Sequence, residues 1–177
     1  MTVSFFEGCH SVPDVKTRYR NLAMDNHPDR GGDEEVMKAV NAAYQHKLEN
    51  MDGSFYVGTD NEEHEYSYDS VVEKKVADKV QELFKFQLAD YLEVRLIGTW
   101  VWVTGTRRDD EYTKQILHKT SFKYHSKRTR DTGVGTWYWR ATASRSRYNP
   151  DASLDSLQYV YGGGTISQEK EEQSQVA

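Results

Sequence analysis

The side chains in this sequence that could do chemistry are few and scattered. His27 and Asp29 flank Pro28, a spacing that could serve as an acid–base pair. Such a pair needs a nucleophile or a bound phosphate to act on. Neither motif accompanies it, because Gly162-Gly163-Gly164 is followed by Thr165-Ile166 rather than the Lys-Ser/Thr of a phosphate-binding loop. Metal chemistry fares no better. The six histidines are dispersed, and Cys9-His10 has no companion at zinc-ligand spacing, whereas a structural zinc site takes about four ligands. We therefore expect no catalytic residue, no metal and no cofactor. His27-Pro28-Asp29 is left without a chemical role of its own, and the question becomes which elements position it.

The flanking patterns answer with helices. Pro13-Asp14 opens a segment in which Val15, Tyr19, Leu22 and Asn26 share one face. That helix must end near Asn26, because Pro28 disfavours helical backbone at the residue before it and Gly31-Gly32 follow. Asp33 then caps a second helix, with an acidic first turn and an apolar stripe of Met37, Val40, Ala43 or Tyr44, and Leu48, stopped by Gly53. Two helices joined by a short loop predict an antiparallel hairpin, with Phe5-Phe6 covering its open side. Lys16, Arg20, Ala23 or Met24, and His27 fall on the stripe opposite the core face. We read that stripe as an exposed basic ridge leading to the loop, suited to an acidic partner and sensitive to salt.

Charge divides the rest of the chain. Residues 1–90 hold 18 acids and 10 bases, residues 91–150 hold 5 acids and 12 bases, and residues 151–177 hold 5 acids and 1 base, so the segments carry −8, +7 and −4. Residues 53–69, acidic and poor in aliphatics, read as a flexible linker. From Ser70 to Leu88 the spacing of Val72, Val76, Val80, Leu83, Phe84 and Leu88 predicts a long helix. Beyond it the period changes to two: Leu92, Val94 and Leu96, then Trp100 to Val103, then Thr136 to Arg140 predict strands. Asp110 to His118 suits a short helix, Gly133 and Gly135 a turn, and Leu154, Leu157 and Tyr161 a last helix capped by Gly162. Residues 162–177 are expected as a disordered tail. The longest apolar run, Leu96 to Val103, is far shorter than the roughly 20 residues a membrane helix needs. With 37% hydrophobic and 29% charged residues and a mean hydropathy of −0.85, the composition is that of a soluble protein. The first residues do not read as a secretory signal, and a lone cysteine fits a reducing compartment, so the cytoplasm is the expected location.

Tyr19-Arg20-Asn21-Leu22-Ala23, then His27-Pro28-Asp29-Arg30-Gly31-Gly32-Asp33, then Asn41-Ala42-Ala43-Tyr44 together resemble the DnaJ-type J domain over residues 3–50. The stretch from His27 to Glu35 is similar in particular to the J domains of small viral proteins, including polyomavirus T antigens. Asp25 stands where that family often has a base. The resemblance implies a co-chaperone that docks on a DnaK-type heat-shock chaperone and stimulates its ATPase. Lys16, Arg18, Arg20, His27, Pro28, Asp29 and Arg30 would carry the docking, and the chain would supply no catalytic group of its own.

Trp100-Val101-Trp102-Val103 with Gly105, Phe122-Lys123-Tyr124 and Trp137-Tyr138-Trp139-Arg140 resemble the small C-terminal module of short phage and bacterial J proteins, over roughly residues 70–161. Lys127 to Gly135 looks like an insertion in that pattern. Two readings of the module stand. Arg107, Arg108, Lys123, Lys127, Arg128, Arg130, Arg145 and Arg147, interleaved with aromatic rings, could grip phosphates while bases stack on the rings. Alternatively, a small sheet with few aliphatics needs large apolar side chains, which puts at least half of the rings in the core. The expected fold is therefore α+β: a helical J-type hairpin at 1–52, a linker at 53–69, and at 70–161 a long helix with a small, mostly antiparallel sheet and short helices. The expected partners are a chaperone and an unidentified client, with nucleic acid or a virion assembly as alternatives and no membrane.

Overall fold

The computed structural model describes residues 4–26, 31–86, 88–142 and 151–166, and the structural statements below concern these. The fold is α+β. Helix α1 spans Val12–Asn26. It opens on a reciprocal cap in which Asp14 N–H donates to the Ser11 hydroxyl at 3.2 Å and Ser11 N–H donates to the Asp14 carboxylate at 3.0 Å. Helix α2, Glu34–Glu49, begins at Asp33, whose carboxylate accepts from the Glu35 and Val36 amides. The two pack as the expected hairpin around Val15, Val40, Tyr44 and Leu48, and Phe6 closes the open side.

Residues 53–69 correct the expectation of a linker. Strands β1 (Phe55–Val57) and β2 (Glu63–Glu65) form an antiparallel hairpin. Tyr66 and Tyr68, which follow it, pack on the helical core. A low aliphatic count concealed this, because tyrosines supply the contact area. Helix α3, Ser70–Phe84, starts on the Asp69 cap and ends four residues before Leu88. Leu88 and Ala89 still pack on the core, but from a loop.

The second sheet is built from β3 (Glu93–Ile97), β4 (Trp100–Thr106), β5 (Lys123–Tyr124), β6 (Gly135–Arg140) and β7 (Gly163–Thr165), in the order β5-β6-β4-β3-β7, all antiparallel. Helix α4, Glu111–Lys119, joins β4 to β5. The stretch resembling an insertion forms helix α5, Ser126–Thr132, with Gly133 left-handed at its C-terminus (φ 70°). Helix α6, Leu154–Tyr161, leads into β7. Strand alternation sorts the aromatic residues to the two faces. Val101, Val103, Trp137 and Trp139 face the core shared with α3 and α4. Trp100, Trp102 and Tyr138 face Leu157 and Tyr161 of α6.

The expected tail at 162–177 is corrected for its first five residues. Gly163 to Thr165 pair with Ile97 to Arg95 of β3, and the Ile166 amide donates to the Val94 carbonyl at 2.6 Å. Ile166 is buried against the main core. The glycine run that precedes it is a packing device. A β-carbon at Gly162 would lie 2.4 Å from Pro13 Cα, and one at Gly163 would lie 2.0 Å from the Leu96 carbonyl oxygen. Three glycines in a row read as a loose end only while the surfaces they touch are unknown. Ile166→Ala is expected to cost about 2–4 kcal/mol in denaturant unfolding, whereas a residue in a tail would cost nothing measurable.

Candidate functional site

The site must be assembled from the hairpin outward, since the loop it presents is defined by its ends. Tyr19 stacks on Tyr44 with ring centroids 3.9 Å apart, and its hydroxyl donates to Asn41 Oδ1 at 2.8 Å. The Asn-x-x-Tyr pattern of α2 is thereby explained: one residue takes the hydroxyl and the other takes the ring of Tyr19, setting α1 and α2 side by side. Asn26 turns its side chain back to the Leu22 carbonyl at 2.8 Å and finishes α1. Across the loop, a β-carbon on Gly32 would come within 2.2 Å of the Asn26 carbonyl carbon, and Gly31 has φ of 80°. The loop is pinched at its base by backbone against backbone, which only glycine at 32 permits. His27, Pro28, Asp29 and Arg30 lie outside the described residues, as do Arg145 and Arg147.

The exposed basic ridge is corrected. Lys16 is 4% exposed and donates at 3.0 Å to Glu73 of α3, itself 6% exposed. Arg20 is half-buried, and its guanidinium donates to the Thr165 carbonyl of β7 and to Asn21 Oδ1. Met24, on the same stripe, packs on the main core. Helix α1 is therefore covered on two faces, by α2 on one side and by α3 and β7 on the other. Arg18 alone of the three keeps an exposed position, donating to the Phe5 carbonyl at 3.3 Å.

Glu73 was missed as a functional residue, although the sequence carries a signal for it. It lies three residues before Val76 on the stripe that continues through Val80 and Leu83, a carboxylate on an apolar face. Its two oxygens take the Lys16 ammonium, the Tyr44 hydroxyl at 3.2 Å and the Tyr66 hydroxyl at 3.5 Å. Four elements meet on one carboxylate: α1, α2, the segment after β2, and α3. A cavity of about 610 Å³ adjoins this point, walled by Lys16, Tyr56, Tyr66, Trp100, Trp102 and Tyr161.

The bases of the central module are spread over several elements. Arg107 and Arg108 are exposed in the turn after β4, Arg107 lying 3.9 Å over the Tyr91 ring. Lys123 is exposed on β5. In α5, Lys127 pairs with Asp151, Arg130 lies 3.8 Å from Asp131, and Arg128 sits 5.1 Å over Trp102 while donating to the Ala152 carbonyl. Arg140 covers Trp100 at 5.6 Å in the same manner. Trp102 and Trp137 are buried. The tryptophans Trp100, Trp102 and Trp137 are thus taken up by the core or by the chain's own guanidinium groups, whereas the rings of Tyr112, Tyr124 and Tyr159 stay exposed.

Among the described residues, Asp60, Glu62 and His64 bring ligand-type atoms within 4.8 Å of one another. The buried His64 holds both Asp60 carboxylate oxygens at 2.9 Å, which closes the turn between β1 and β2 and draws the Asp60 carboxyl below its ordinary range. No helix among the described residues is long and apolar enough to cross a membrane.

Comparison with known proteins bears on the hairpin. A stretch of 31 residues is 61% identical to the small t antigen of budgerigar fledgling disease virus, and 55% identical to the large T antigen of the same virus. It makes up 18% of this chain, 21% of the small t antigen and 5% of the large T antigen, so the chain matches about a fifth or less of these relatives' length. The match supports a J-domain-like region. No family model and no solved structure matches the chain.

Two outcomes follow from Glu73. Removing one member of a buried pair strands the other, so Lys16→Met and Glu73→Gln are each expected to cost about 3–5 kcal/mol. The double variant should cost much less than the sum, read from denaturant unfolding as a double-mutant cycle. The second outcome concerns alkaline pH. Burial first, and then the Glu73 charge, push the Tyr19 phenol from 10.0 to about 12, and the same two causes raise Tyr44 and Tyr66. Folded-state values above the unfolded ones favour folding while the phenols stay protonated. Stability is therefore expected to be level up to about pH 10 and to fall as pH rises toward 12, less steeply in Tyr66→Phe.

Proposed function

We propose that this chain is a J-type co-chaperone, encoded by a virus or phage and acting in the cytoplasm of its host. It docks on a DnaK-type heat-shock chaperone, stimulates ATP hydrolysis there and delivers a client or an assembly through its C-terminal module. The observation that carries this reading is the hairpin itself. The tyrosine and asparagine contacts between α1 and α2, and the glycine pinch at Gly32, hold the two ends of the His27-Pro28-Asp29 loop together. Ends held this close suit a triplet that is read by a partner rather than one that acts on a substrate. The likeness to viral T antigens supports the same reading and its viral setting.

In this reading the chain contributes geometry and charge, and the chemistry belongs to the chaperone. Pro28 is a residue type that disfavours a continuing helix. Arg18, exposed on α1, supplies attraction to an acidic surface. A nucleic-acid adaptor is the weaker reading. It retains Arg108, Lys123 and Arg130 as exposed bases and exposed rings at Tyr112 and Tyr124, but the tryptophans that would be the strongest stacking platforms are taken up by the fold.

Single-turnover ATP hydrolysis by a DnaK-type chaperone tests the proposal. The full chain is expected to accelerate hydrolysis, and His27→Gln is expected to return it to the chaperone's own rate. Absence of acceleration by the folded wild-type protein would remove the co-chaperone reading.

A further inference from the structure

The surface of α1 that sequence reasoning assigns to a chaperone is already occupied by this chain. Lys16 is buried on Glu73, Arg20 donates to the Thr165 carbonyl, the Gly163 amide donates to the Thr17 hydroxyl at 3.2 Å, and Gly162 lies against Pro13. The interaction is of the kind the docking role demands: a carboxylate and a carbonyl receive the two cations that an acidic partner surface would receive. Resting on the co-chaperone reading, we propose that the C-terminal module and the chaperone compete for this one face of α1, so that the chain docks fully only when β7 and α3 release it.

The two holds are of unequal strength. On the α3 side, a buried ion pair with two tyrosine hydroxyls is costly to disrupt, because each charge would have to find another partner. On the β7 side, the hold is a strand of three residues, two of them glycine, at the edge of the sheet and paired to β3 alone, anchored at its end by the single buried side chain of Ile166. Glycine gains more conformational freedom on release than any other residue. Strand β7 can leave without breaking the ladder of β3, β4 and β6, which is the character of a segment that opens locally below the free energy of global unfolding. Arg20 is freed at that step and Lys16 at a second, when α3 yields Glu73. Linkage requires the effect to run both ways: if release of β7 strengthens docking, docking must loosen β7.

Backbone hydrogen exchange on the full wild-type chain, with and without a saturating DnaK-type chaperone, tests this without any substitution. The amides of Gly163, Gly164 and Ile166 are expected to exchange about tenfold faster with chaperone present, while those of Val101 to Val103 keep their protection. Hydrolysis assays supply the second arm. Gly162→Val pushes β7 away from Pro13, and Glu73→Gln removes the charge that holds Lys16. Each is expected to reach half-maximal stimulation at a concentration about tenfold lower than wild type, because a larger fraction is competent to bind. If wild type stimulates hydrolysis while the β7 amides are unchanged and neither variant gains, the competition is wrong and the co-chaperone reading stands. If neither wild type nor the variants stimulate, the co-chaperone reading falls and the competition falls with it.

Discussion

A lysine and a glutamate taken out of water together hold this molecule in its present arrangement. Lys16 and Glu73 are each more than nine-tenths buried, and the cost of desolvating two charges is met only because each finds the other and the carboxylate also takes two tyrosine hydroxyls. Apolar contacts would have tolerated sliding of α1 along α3. A salt bridge with hydroxyl partners on both oxygens does not, since a shift of a few ångströms would leave a charge buried alone. The pair therefore fixes where the helical hairpin sits on the sheet module, and with it which face of α1 meets solvent.

The sheet reaches a packed core with few aliphatic residues because its strands alternate. Strand β6 delivers rings to both sides in turn, and β4 sends its two tryptophans to one side and its valines to the other, so one short sheet is covered by α3 and α4 on one face and by α6 on the other. The same arrangement takes up the large rings of β4. Trp102 is packed against Leu157 and roofed by Arg128, and Trp100 lies under Arg140. A sequence rich in tryptophan and arginine thus has two uses for cation–π contacts, recognition of an outside ligand and closure of its own fold, and here the second accounts for the contacts observed.

The N-terminal loop and the C-terminal strand are coupled by this construction. Strand β7 hydrogen-bonds Thr17 and Arg20, nine and six residues before the end of α1 at Asn26. A helical hairpin standing alone would leave that helix face free. Here that flank is occupied, so the exposure of α1 and the packing of the module draw on the same residues.

The sequence by itself determined the local structure. Caps at Ser11, Asp33 and Asp69, helix-breaking residues around Pro28, the helical spacing in α1 to α3 and the period of two in β3, β4 and β6 each act within a few residues, where steric and hydrogen-bond rules operate without reference to distant chain. They also placed Tyr19 and Tyr44 on the apolar stripes of α1 and α2, though not their stacking. Tertiary structure decided the rest. Whether Lys16 and Arg20 face water or Glu73 and β7, whether Gly162 to Thr165 are a tail or a strand, and whether Tyr66 is a linker residue or a wall of the core all depend on contacts across 57 to 146 positions of sequence. Helical periodicity names the two faces of α1 but says only that one must be covered. A face carrying a lysine, an arginine and a methionine can be solvated or buried, and the choice was made by a single acidic residue on another helix and by three glycines narrow enough to approach.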